Sequence, residues 1–518
     1  MKLTNKRSKM IKKIKTIRCK RGGKFDGKFD GKLDGKFDGG NVLTSGGFGC
    51  LFKPALKCKN TLNYDKTSKM VTKLMTKRHA KDEYKQVTAF KSVLDKIPNY
   101  QNYFLINDFS ICVPAELTKA DLEGFDKKCD ALKKKKYTAA NINQNLDKIL
   151  ALNMPDGGVD VDDYVFSITD SKKVQKTYTA LNNSLVDLLV NGIEPMNRLN
   201  LYHCDVKGSN ILVQEQGVEP TVPTSDANLS ADSLSSRLID WGLSVYKKDS
   251  QSEIPDKLDR RPFQFNVPFS VILFNKKFLE KYRKFLENSK NQELNYYAIR
   301  EFVINYIFYW NKIRGAGHLK TINSIVKHLS FDELYAIDSK KVKNHVIEYE
   351  FTYYYIVEYI SKILFKYTVK DANKNKLNLL EYFNQVFLKN IDVWGLVMLY
   401  MVFLDHIQQV FKNDDHVGYT QFIQKIKYII IHFLFETPTE VIQINKLALE
   451  LQSLNGLIAK FDNPGLNHVN YFESLKKIDT SHLKEVGGSI RRSKMIRRSK
   501  TKTKTKTNKT KTIKKISH

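Results

Sequence analysis

Tyr202-His203-Cys204-Asp205-Val206-Lys207-Gly208-Ser209-Asn210-Ile211-Leu212-Val213 is the stretch on which the reading turns. An Asp, a Lys two residues later and an Asn five residues later run into an apolar segment that reads as a strand. The carboxylate can orient a hydroxyl and accept its proton, the ammonium can neutralise a transferring phosphoryl group, and the Asn carbonyl can hold a divalent cation. Thirty residues after the Asn comes Arg237-Leu238-Ile239-Asp240-Trp241-Gly242, an expected strand ending in an acid at a turn. That acid is suited to ligating a metal that bridges phosphates. The bland alternative is a helix end running into an ordinary β-hairpin.

Taken together and in this order, the two segments resemble the catalytic loop and metal-binding loop of eukaryotic-type protein kinases, usually HRDxKxxN and DFG. The resemblance implies a catalytic pair, Asp205 and Lys207, and two metal-holding residues, Asn210 and Asp240. His203 and Gly242 then act as structural support. Upstream, Thr44-Ser45-Gly46-Gly47-Phe48-Gly49-Cys50-Leu51 resembles the family's glycine-rich loop, with Thr44 where the first glycine is usual. Gly46, Gly47, Phe48 and Gly49 would cover the phosphates of ATP, since glycine permits close backbone approach. Met70-Val71-Thr72-Lys73 looks like the strand ending in the phosphate-binding Lys, and Glu83, ten residues on in a helical stretch, would pair with Lys73.

Ile149 to Gly158 resembles the strand and hinge that hold adenine, but Pro155 has no N–H, so the usual backbone contact must shift to a neighbour. Asp392-Val393-Trp394-Gly395-Leu396-Val397-Met398-Leu399-Tyr400 resembles the DVWSxGxxLY helix, whose Asp392 would bond the backbone of the catalytic loop. The expected fold class is α+β, a bilobal protein-kinase-like fold. It would have a small β-rich N-lobe (41–155, with an insertion at about 113–145) and a larger helical C-lobe (156–482). The C-lobe would carry a polar loop at 214–236 and a helical insertion at about 270–391. ATP and Mg2+ are the implied cofactors, as two ions, with Mn2+ as a substitute.

Three departures from the family pattern matter. No Ala-Pro-Glu follows Asp240, the nearest segment being Arg261-Pro262-Phe263-Gln264-Phe265-Asn266-Val267-Pro268-Phe269. About 120 residues then intervene before Asp392, which leaves the peptide-binding surface open to question. Cys204 stands where many kinases carry an Arg that pairs with an activation-loop phosphate. A thiol has no charge for that phosphate to satisfy, so activity independent of such phosphorylation is expected. The composition, the Pro-Phe-Gln-Phe-Asn-Val-Pro-Phe segment and Gly315-Ala316-Gly317-His318 look like serine/threonine kinases encoded by giant DNA viruses, which implies host cytoplasm or virion as the location.

Length and charge set the outer bounds. The chain has 518 residues, 42% hydrophobic and 11% aromatic, enough for a large core, and a formal charge of +31. Residues 1–22 and 486–518 carry 23 of those charges with no acid, leaving +8 for the rest. These tails, the first followed by four Gly-Lys-Phe/Leu-Asp tetrads from 23 to 38, read as disordered. They can contact nucleic acid or an acidic surface through counterion release. Arg491-Arg492-Ser493 and Arg497-Arg498-Ser499 make the enzyme's own tail a candidate substrate beside an unidentified protein. Six cysteines form no regular framework, which reads as an intracellular, reducing compartment. No segment reaches the roughly 18 apolar residues of a membrane span.

The expected function is ATP-dependent transfer of a phosphoryl group to Ser or Thr hydroxyls of proteins. One alternative is a small-molecule phosphotransferase of the aminoglycoside or choline kinase kind. Those generally lack a Lys at the position of Lys207. A non-catalytic scaffold that binds nucleic acid through its tails is the other.

Overall fold

The computed structural model describes residues 40–59, 69–215, 234–247, 253–259, 261–289, 294–330, 345–369, 375–410 and 417–461. Both tails, Ser493, Ser499, the tetrad spacer and most of the polar loop lie outside these residues. The rest is mixed α+β, a small sheet region followed by a mostly helical remainder.

Five strands form the main sheet: β1 Asn41–Ser45, β2 Gly49–Lys53, β3 Met70–Thr76, β4 Ser110–Cys112 and β5 Ile149–Pro155, in the order β1-β2-β3-β5-β4 with each neighbour antiparallel. The period-2 alternation of side chains gives the sheet two apolar faces. Helix α1, Lys77–Leu94, covers one of them, with Met75, Ala80, Leu150 and Leu152 buried between. The other face carries Val42, Cys50, Phe52, Leu74, Ile149 and Ala151, too apolar to be left in water. It is capped by residues of the expected insertion, where α2 (Phe125–Lys128) and α3 (Asp130–Lys133) bury Phe125, Cys129 and Leu132 against it. Two disulfides are present: Cys50 of β2 is joined to Cys129 in the capping layer, and Cys58, just after β2, to Cys112 of β4. The sequence shows no regular framework that would announce these pairings.

The helical remainder begins with a two-residue strand, β6 Val159–Asp160, and α4 Val161–Ser167. The helix starts where it does because Asp160 Oδ1 accepts a hydrogen bond from Asp163 N at 2.9 Å, satisfying an otherwise orphaned donor. Helix α5 (Ser171–Asp187) and α6 (Glu194–Arg198) follow, then β7 Leu201–Tyr202, β8 Ile211–Glu215, β9 Leu234–Leu238 and β10 Val245–Tyr246. β8 pairs antiparallel with both β6 and β9, and β10 pairs with β7.

The expected insertion is helical: α7 Lys276–Asn288, α8 Tyr296–Arg314, α9 Leu319–Ser330 and α10 His345–Tyr367. Asn275 and Asn295 cap the first two through Phe278 N (2.8 Å) and Ala298 N (3.0 Å). The chain then runs through α11 (Leu379–Tyr382), α12 (Leu388–Leu399), α13 (Met401–Val410), α14 (Val417–Ile430) and α15 (Ile444–Ile458). The stretch Leu379–Gln409 is long and apolar enough to cross a membrane, yet its most apolar 18-residue window is 94% buried inside the fold, which fits a core helix and gives no clear membrane span. One continuous core unites these helices with Val87, Phe90, Val93 and Leu94 of α1. Sheet and helical region thus share α1, which packs on both.

Candidate functional site

The β8–β9 hairpin sets the spacing of the site. Ile211 pairs with Leu238 and Ile239 N donates to Asn210 O at 3.0 Å, so Asn210 and Asp240 flank the same end of the hairpin. Asp240 has φ +63°, a left-handed conformation rare outside glycine. Trp241 follows it in the chain. It is buried against Phe90 of α1, Phe104 and His203, at ring-centroid distances of 6.0, 5.7 and 5.1 Å.

From β3, Lys73 meets two acids. Its Nζ donates to both carboxylate oxygens of Glu83 on α1, at 2.7 and 2.9 Å, and lies 3.7 Å from Asp240 Oδ1. Burial pushes the Lys73 ammonium toward lower pKa, but Asp240 and Glu83 together hold it above its ordinary value. The cation therefore persists in a partly desolvated position where phosphate oxygens could replace water.

Asp205 is buried and triply bonded. Its Oδ2 accepts from Lys207 Nζ at 2.8 Å and Asn210 Nδ2 at 3.0 Å, and its Oδ1 accepts from Asn266 Nδ2 at 2.8 Å. Burial alone would raise its pKa; the Lys207 charge and the hydrogen bonds of Lys207 and Asn266 outweigh it and leave the carboxyl below its ordinary value. Asp205 is thus a carboxylate at neutral pH.

The loop from His203 to Lys207 is held from beneath. Asp392, fully buried in α12, accepts from His203 N at 2.8 Å and Cys204 N at 2.7 Å. Gly395, one turn on, lies so close to Val206 that a Cβ would sit 2.3 Å from its carbonyl oxygen. Cys204 takes φ +62°, and its carbonyl accepts both terminal nitrogens of Arg261 at 3.0 Å. His203 Nε2 lies 2.9 Å from Ile239 O and links this loop to the strand that leads to Asp240.

The glycine-rich turn joins β1 to β2 with Gly46 N donating to Gly49 O at 2.9 Å. Gly46 and Gly47 are exposed, Gly47 with open space around it and Gly46 with only Gly49 O near, whereas Gly49 packs against Leu74 and Met75. Phe48 is exposed and contacts the His79 ring at 4.9 Å. At the end of β5, Asp156 N is already committed to Lys69 O at 2.7 Å, so the residue after Pro155 has no free N–H to offer a ligand.

Lys73, Glu83, Asp205, Lys207, Asn210 and Asp240 are accordingly one cluster, with His203 and Asp392 supporting it. Gly242 lies beside Asp240, where a Cβ would be 3.5 Å from Oδ1. Sequence reasoning missed Asn266 and Arg261, both buried, although the segment containing them stood out for its prolines and phenylalanines. It also missed Asp162, whose carboxylate packs onto Gly208 beside Lys207. Burial and the neighbouring Asp160 and Asp163 push Asp162 up to about 6. Among the described residues no group of three or more His, Cys, Asp or Glu side chains is arranged to hold a metal alone. No protein-family model matches the chain, and no curated protein matches it.

Proposed function

We propose that the chain is an ATP-dependent protein kinase, with a bilobal kinase-like fold, that phosphorylates Ser or Thr hydroxyls. The observation that carries this reading is the placing of one ion pair and one buried carboxylate in a single cluster, linked through Asp240 and Asn210. Lys73 with Glu83 and Asp240 forms a cation site for phosphate oxygens, and Asp205 with Lys207 forms a base beside a second cation. Such positioning and electrostatics are what phosphoryl transfer demands of a protein.

In the reaction the acceptor hydroxyl oxygen bonds to the γ-phosphorus as the bond to ADP breaks, and the hydroxyl proton passes to Asp205. Lys207 neutralises charge on the transferring group, while Lys73, fixed by Glu83, holds the remaining phosphates. Gly47 offers a backbone N–H with no side chain in the way, and Gly46, its own N–H held by Gly49 O, lets the phosphates approach the turn closely. Asn210 has its amide nitrogen committed to Asp205, so its oxygen is left as a ligand; with the half-exposed Asp240 it makes a hard oxygen donor set that fits Mg2+ or Mn2+. A divalent cation held there would neutralise β- and γ-phosphate oxygens.

Binding of ATP with and without Mg2+ to wild type and Asp240→Asn, by calorimetry, tests the site. The reading requires metal-dependent binding that Asp240→Asn weakens about 10-fold or more, the scale of one lost charged ligand. Equal binding with and without metal would remove its basis. Offering basic proteins, small alcohols and the protein itself as acceptors then separates a protein kinase from a small-molecule phosphotransferase.

A further inference from the structure

The segment Arg261–Asn266 is neither helix nor strand, yet its anchoring is dense. Every second carbonyl in it is bound by a donor from the helical region. Arg261 O accepts from Trp310 Nε1 at 3.2 Å, Phe263 O from His318 N at 2.8 Å, and Phe265 O from Trp394 Nε1 at 2.9 Å. Trp310 belongs to α8 and His318 to the turn between α8 and α9, both within the long insertion; Trp394 belongs to α12. Gly317, at φ +52°, lets that turn approach: a Cβ there would fall 2.4 Å from Phe263 O. Phe263 is fully buried, and Phe265 lies against the His318 ring at 5.4 Å.

What this segment presents to the site is as specific. Arg261, 6% exposed, places its guanidinium on Cys204 O, and Asn266, fully buried, donates to Asp205 Oδ1 and to Val206 O at 3.2 Å. A buried guanidinium is costly unless its surroundings compensate, and here Asp205 and Asp392 supply negative charge. The segment therefore touches the Asp205 loop on one side and the inserted helices on the other.

From this arrangement we infer that the inserted helices are a built-in brace. They hold Arg261–Asn266 against the Asp205 loop so that Asn266 acts as a positioning residue for Asp205, and no phosphate on the chain is needed to order the segment. The inference rests on the kinase reading for its catalytic consequence, but the brace itself is a statement about the fold. It also gives a purpose to Gly315-Ala316-Gly317-His318, which the chemistry of the site leaves unexplained.

The test uses the full chain, dephosphorylated and checked by intact mass. Trp310→Phe keeps an aromatic ring and removes the N–H, and Gly317→Ala forces the turn away from Phe263; neither residue belongs to the cluster. Hydrogen exchange across 261–266 should be slow in the dephosphorylated wild type and accelerate about 10-fold in Trp310→Phe, the effect of one hydrogen bond. Phosphotransfer should survive dephosphorylation within about 2-fold. Asn266→Ala, and the isosteric Asn266→Asp that removes the donor, should lower kcat about 10- to 100-fold with KM for ATP unchanged, the scale of a misplaced reacting group. Asn266→Ser, which retains a donor, should recover part of that loss, a response that mere destabilisation would not give. Unchanged exchange in both Trp310→Phe and Gly317→Ala, or a kcat for Asn266→Asp equal to wild type, would overturn the inference. Absence of transfer to any acceptor by wild type would instead retire the kinase reading, and the exchange experiment would still decide the brace.

Discussion

Replacing Asp392 by alanine strips the His203–Cys204 backbone of both its acceptors. The two N–H groups, bonded at 2.8 and 2.7 Å to a fully buried carboxylate, would be left without partners in a dry interior. Each unpaired buried donor costs about 1–3 kcal/mol, so the pair costs about 4 kcal/mol at the centre of the range. The nearby Arg261 also loses one of its balancing charges. Unfolding entropy of ~2.1 cal/mol/K per residue over roughly 360 described residues gives about 0.8 kcal/mol/K, so Tm should fall by about 5 °C. Asp392→Asn keeps one oxygen acceptor and should lose about half as much. Circular dichroism melts of the three proteins at one pH provide the assay. A melting temperature for Asp392→Ala within 1 °C of wild type, or equal losses for both variants, would refute the reasoning.

Glu83→Gln should lower kcat/KM for ATP about 10- to 100-fold, equivalent to about 1.4–2.7 kcal/mol, with an unchanged dichroism spectrum, because Lys73 loses its charged partner. His406 is buried between the Tyr178 hydroxyl (2.6 Å) and Ile168 O (2.9 Å), and burial depresses its pKa below the ordinary 6.5. The unfolded chain therefore takes up a proton first as pH falls, so His406 contributes stability above pH 6.5 that is lost below it; Tm should drop more steeply from pH 7 to 5.5 in wild type than in His406→Gln. Thiol titration of the denatured, unreduced protein should find Cys50, Cys58, Cys112 and Cys129 unreactive, and reduction should lower Tm, since sequence separations of 79 and 54 correspond to about 4 kcal/mol each in the chain-entropy account. Reaction of all four would return them to the thiols of a reducing compartment. Incubation with ATP and Mg2+ should add phosphate at Ser493 and Ser499, read by mass spectrometry; unmodified serines there would exclude the tail as substrate.

The grouping of these side chains was legible because its parts are local. Asp205, Lys207 and Asn210 lie within six residues, and a strand followed by a helix is enough to bring Lys73 to Glu83 ten residues on. Asp392 could be read because it lies in an apolar helix of recognisable pattern. What could not be read depends on contacts without periodicity. Arg261 and Asn266 reach back some 60 residues to the Asp205 loop from a segment that is neither helix nor strand, so no spacing announces them. The disulfides fail for a similar reason: Cys50 and Cys129 face each other only because residues of the 113–145 insertion cap the outer sheet face, which the strand pattern alone does not reveal. The insertion at 270–391 was legible as helical, but the brace proposed for it depends on two contacts, from Trp310 Nε1 and from the His318 backbone N–H.

Transfer of labelled γ-phosphate from ATP, by wild type and by Asp205→Ala in parallel, tests the central claim most directly. Wild type should label a protein acceptor in the presence of Mg2+, and Asp205→Ala should transfer at least about 100-fold more slowly while still binding ATP. Equal labelling by the two proteins would contradict the account.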